Sequence, residues 1–126
     1  MRFKTMMMTV AAAALMATAA QAQAQSQEQG QYRRPLEKMI TDAASGVCAA
    51  DVMAAELLAA CQSQIDGMAE GLSSLGAITS IRFVSAEGEG AARIETYAVT
   101  FAGGATLNWG IGNMVDGKFS TAYAGG

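Results

Sequence analysis

The spacing of the bulky apolar residues changes at Ile78, and that change restricts the chain to a small set of folds. Before it, Leu36, Met39, Ile40 and Ala43 recur at the i, i+3, i+4, i+7 interval of one buried helical face, and Ala54, Leu57, Leu58, Cys61, Ile65, Met68 and Leu72 form a second stripe of the same kind. After it, Ile78–Ser85, Arg93–Phe101, Ala105–Ile111 and Lys118–Tyr123 alternate with period two, are rich in β-branched and aromatic residues, and are separated by glycine-containing turns. The prediction is an α+β domain with two N-terminal helices packed on a four-stranded antiparallel meander. Pro35 opens the first helix, where its missing N–H costs nothing, and Ser45-Gly46 ends it. Asp51 is the expected cap of the second helix, which runs to about Ser74 before Gly76. Gly67 and Gly71 weaken its final turns by about 1 kcal/mol each against alanine, so fraying or a kink is expected there.

Alternation also predicts register, because residues opposite each other in an antiparallel pair project to the same side. A two-residue Gly103-Gly104 loop would set Val99 against Asn108, core against solvent. A three-residue loop, Ala102 to Gly104, sets Val99 against Leu107 and Tyr97 against Trp109, with Gly104 left-handed. The same test rejects a two-residue Asp116-Gly117 turn in favour of a loop of odd length such as Val115 to Gly117, aligning Ile111 with Thr121 and Trp109 with Tyr123. Together the two registers predict a row of rings, Tyr97, Trp109 and Tyr123, on the face that the helices cover.

The first 29 residues have a different composition, with five of the nine methionines, nine alanines and none of the 14 glycines. Arg2 and Lys4 precede an apolar stretch from Met6 to Ala20, and small residues follow at Ala20, Ala22 and Ala24, the three-part pattern of a secretory signal peptide. Residues 1–22 are therefore expected to be a signal peptide, with cleavage after Ala22 or Ala24, 23–34 a disordered Gln-rich leader, and 35–126 a single domain. A periplasmic or secreted location follows. The processed chain keeps Arg33, Arg34, Lys38, Arg82, Arg93 and Lys118 against all 11 acids, a net charge of about −5 that disfavours nucleic acid and anionic membrane as partners.

Export makes the only two cysteines, Cys48 and Cys61, an expected disulfide. In one continuous helix, 13 residues would hold them about 20 Å apart, far beyond the roughly 7 Å between Cα atoms that a bridge allows. The helix must therefore break, at about residues 45 to 50.

Histidine is absent, which removes Ser-His-Asp and Cys-His catalysis and histidine metal sites. Gly88-Glu89-Gly90-Ala91-Ala92 joins two strands and is read as a hairpin loop, not a dinucleotide fingerprint. Arg93 and Glu95 share the parity of Tyr97. Either Glu95 stands at the mouth of an apolar cavity with a raised pKa suited to proton transfer, or both charges lie in water at the sheet edge. Asp42, Asp51, Asp66 and Glu70 read as a solvated face without metal-ligand spacing. No metal and no cofactor is implied.

The run Leu75-Gly76-x-Ile78-x-Ser80-Ile81-x-Phe83, then Tyr97-x-Val99-x-Phe101-x-x-Gly104, Trp109-x-Ile111 and Asp116-Gly117-Lys118, resembles small exported bacterial proteins of the cystatin-like, nuclear-transport-factor-like superfamily, over residues 35 to 123. The resemblance implies helices lying across a curved antiparallel sheet, and pairing of two copies through the exposed sheet face. It implies no single activity, since the fold hosts isomerases, dehydratases, inhibitors and interaction modules. The expected function is a non-catalytic exported binding or accessory module, its partner a periplasmic protein or a small apolar ligand held at Tyr97, Trp109 and Tyr123. The alternative is a lyase or isomerase using Glu95 or Asp42 in the cavity between helix and sheet.

Overall fold

The computed structural model describes residues 30–125; the expected signal peptide and the leader up to residue 29 lie outside the described residues. Two helices, α1 (Arg33–Ala44) and α2 (Ala55–Leu75), precede strands β1 (Ile78–Glu87), β2 (Ile94–Phe101), β3 (Thr106–Val115) and β4 (Lys118–Gly125). The strands form one antiparallel sheet in the order β1-β2-β3-β4, the α+β meander that the period change predicts.

Helix α1 begins two residues before Pro35, with Tyr32 at its cap position. Tyr32 stands one turn ahead of Leu36 and extends the apolar stripe; it is buried and meets the Phe119 ring edge-on at 4.8 Å. Residues 30–34, expected as part of a disordered leader, are thus structured, because Tyr32 supplies the apolar surface that the rest of that segment lacks.

Asp51 does not cap α2. It lies exposed in the turn before Met53, and the cap position is Ala54. Phe119 explains this: its N–H donates to the Val52 carbonyl at 2.9 Å and its carbonyl accepts from the Ala54 N–H at 2.8 Å, holding Val52–Ala54 extended beside β4. The helix can start only after that bridge. It then runs unbroken through Gly67 and Gly71, contrary to the expected kink. Both glycines are exposed, and the packing of Cys61, Ile65, Met68 and Leu72 against the core maintains the helix.

The predicted disulfide joins Cys48 to Cys61 with Cα atoms 6.0 Å apart. The helical break that it requires is the segment between Ala44 and Ala55.

The β2–β3 hairpin has the predicted register, Val99 opposite Leu107 and Tyr97 opposite Trp109, with Gly104 left-handed at φ 98°. The β3–β4 register is different from that predicted. Val115 pairs with Lys118 across a two-residue Asp116-Gly117 turn, so Gly110 faces Tyr123 and Trp109 faces Ala124. The parity argument assumed unbroken alternation along β3. Asn113 breaks it by adopting a left-handed φ of 52°, so that Ile111 and Met114, three residues apart, both pack against the core. Across the pair, Phe119 and Ala122 do the same. Tyr123 is consequently on the outer side, its ring over Gly110 and 54% exposed.

Strand β1 contains two more residues than its pairing with β2 uses. Register shifts at Thr79 and Val84 mark β-bulges, which bend the strand and curve the sheet. Leu36, Tyr97, Val99 and Ile111 are fully buried at the centre of the resulting core.

Candidate functional site

Helix α2 lies over the sheet without closing it. Of its 21 residues only Cys61 and Leu72 are buried, while Leu57, Leu58, Ile65, Met68 and Leu75 are partly exposed. A groove of about 650 Å³ remains between the helices and the last two strands. Its walls are Leu36, Met39 and Ile40 from α1, Leu57, Met68 and Leu72 from α2, and Leu107, Trp109, Ala122 and Ala124 from β3 and β4. Among the described residues no charged side chain lines it, and Gln64 is the one amide. Trp109 Nε1 is the single buried side-chain nitrogen or oxygen without a hydrogen-bond partner among the described residues.

At the end of the sheet where β2 begins, Glu95 is fully buried. Its carboxylate accepts the Gln31 N–H at 2.9 Å, the Tyr32 N–H at 2.9 Å, the Tyr97 hydroxyl at 2.6 Å and the Arg93 Nε–H at 2.7 Å. Gly30, at φ 79°, presses its backbone against Tyr97 and Phe83, where any Cβ would collide with the Tyr97 hydroxyl. Burial alone would push the Glu95 carboxyl up. The bonds from Tyr97, the Gln31 N–H, Arg93 and the Tyr32 N–H outweigh it and hold the carboxyl below the ordinary glutamate range. Burial, followed by the neighbouring carboxylate, raises the Tyr97 phenol well above its ordinary value.

Neither reading of Glu95 from the sequence matches this arrangement. The residue is not in water at the sheet edge, and its pKa is lowered, not raised. It is an ionised clasp that ties the chain ahead of α1 to β2, and it does not line the groove. Asp42 is also occupied elsewhere, with Lys38 Nζ at 3.1 Å; that bond and the attraction of Asp42 raise the lysine's pKa.

The three rings predicted as one row are divided. Tyr97 is enclosed in the clasp, Trp109 forms part of the groove wall, and Tyr123, its ring over Gly110 on the outer side, borders the same groove. Gln31 and Tyr32 were not among the predicted site residues. For Tyr32 a signal exists in its position four residues before Leu36; for Gln31, which acts only through its backbone, there is none. No group of three or more potential metal ligands stands together among the described residues, and no described helix is long and apolar enough to cross a membrane. Comparison with protein-family models, curated proteins and solved structures finds no match for this chain.

Proposed function

We propose that this protein is an exported, non-catalytic binding module that carries a small apolar ligand in the groove between α2 and strands β3 and β4. The observation that carries this reading is the groove itself: about 650 Å³, walled by aliphatic side chains and Trp109, and within the usual size range of small-molecule sites. Its lining, which holds no charged side chain among the described residues, favours binding over catalysis. Against the lyase or isomerase reading weigh the four donors already held by the Glu95 carboxylate and the pairing of Asp42 with Lys38. The signal-like N-terminus and the Cys48–Cys61 bridge support a periplasmic or secreted location. Helices on a curved, bulged antiparallel sheet accord with the cystatin-like, nuclear-transport-factor-like resemblance.

Trp109 is the only tryptophan, so its fluorescence reports on the groove alone. Titration with the neutral dye Nile red is expected to quench Trp109 saturably and to enhance dye emission. Ala122→Phe, which adds a ring to the sheet wall, is expected to block both effects while leaving thermal stability equal or higher. Dye binding that is undiminished in Ala122→Phe, or a Trp109 indifferent to every apolar probe, overturns the reading.

A further inference from the structure

A second hollow, of about 640 Å³, lies at the outer edge of β1 beside the start of α1. Arg33, Arg34 and Arg82 line it with Glu37, and Ile81 and Phe83 contribute to its wall. In a chain of net charge −3, three arginines in one hollow need an account. The other cations beyond residue 29 have partners: Lys38 with Asp42 and Asp51, Arg93 with Glu95, and Lys118 with the Ala50 carbonyl. Arg33, Arg34 and Arg82 form no ion pair among the described residues, and none of their side chains makes a hydrogen bond there. Arg33 and Arg34 also occupy the positive end of α1, whose first turn carries no acidic residue, a placement that disfavours the helix. The one buried carboxylate nearby, Glu95, is matched by Arg93 and contributes little net charge to the hollow.

We infer that this hollow binds the phosphoryl group of a small molecule. Three guanidinium groups against the single Glu37 carboxylate leave a local charge of about +2, which complements a phosphate monoester carrying about −1.5 to −2 at neutral pH. Guanidinium forks match phosphate oxygens in pairs, and a phosphoryl group offers enough oxygens for more than one arginine. Ile81 and Phe83 give the organic part of the molecule an apolar surface. The site is separate from the groove, with which it shares no lining residue, and it stands or falls independently of the carrier reading.

The test is a titration of ¹⁵N-labelled protein with glycerol 3-phosphate and with inorganic phosphate, against chloride at matched ionic strength. Saturable shifts of the arginine side-chain resonances are expected with both phosphates and not with chloride. Arg82→Gln and Arg34→Gln should each weaken binding about fivefold. Glu37→Gln should tighten it, and Lys118→Gln, a distant change of equal charge, should leave it unaltered. Sedimentation with phosphatidylcholine vesicles, with and without phosphatidic acid, distinguishes the source: binding to the free phosphates indicates a soluble molecule, and binding only to phosphatidic acid indicates a lipid headgroup. Shifts that chloride reproduces, an equal loss in Lys118→Gln, or binding to neither source would overturn the assignment.

Discussion

Glu95 shows how far a single residue's role extends beyond its own strand. Its inward parity on β2 is legible from Tyr97 and Val99, but its partners Gln31 and Tyr32 stand 64 and 63 residues earlier, and both act on it through backbone N–H groups. The spacing of Tyr32 to Leu36 announces a buried ring, but nothing in the local pattern announces a bond from either N–H to Glu95. Because the carboxyl is lowered in the folded protein, its ionised bonds stabilise the fold fully above the ordinary glutamate pKa of about 4.3, and that stabilisation is lost as pH falls below it toward the depressed folded value. Glu95→Gln is expected to cost roughly 2–4 kcal/mol at pH 7, much of it from leaving Arg93 without its partner. Urea unfolding at pH 7, 5 and 3 checks this: the wild type should lose stability between the two lower values, and the variant should lose less. Equal slopes for the two proteins would show that the clasp is not ionised.

At the scale of elements, two local signals disagree about the β3–β4 hairpin and the structure shows which prevails. Alternation of Trp109, Ile111, Phe119 and Tyr123 predicts a loop of odd length, whereas Asp116-Gly117 is the dipeptide of a two-residue turn with both residues left-handed. The turn prevails, at φ 50° and 78°, and Asn113 absorbs the mismatch by leaving the β region. Alternation predicts register only where no residue departs from extended geometry, which is why the same reasoning succeeded for β2–β3. Asn113 is fitted to this by type, since asparagine tolerates the left-handed region, and its amide donates to the Thr121 hydroxyl at 3.0 Å. Asn113→Val should therefore destabilise the protein by about 2 kcal/mol, while Asn113→Gly should stay within about 1 kcal/mol of wild type. Thermal melts of the two variants make the comparison, and equal losses would remove the backbone explanation.

In the whole molecule the Cys48–Cys61 bridge ties the segment between the two helices to α2. Closing a loop of about 14 residues is worth roughly 3 kcal/mol, so Cys48→Ser with Cys61→Ser should lower the unfolding free energy by about that amount. A loss under 1 kcal/mol by urea titration would show that α2 is held without it. The bulges of β1 have a different consequence, for how one copy meets another. A straight strand arriving at that rim would fall out of phase at Thr79 and again at Val84, with the Arg82 charge between them. The opposite rim is already bridged at Phe119 by Val52–Ala54. The β1 border therefore offers no long regular template to a neighbouring strand, and the β4 border is closed where Phe119 is bridged, so growth of the sheet into ribbons is hindered at both places.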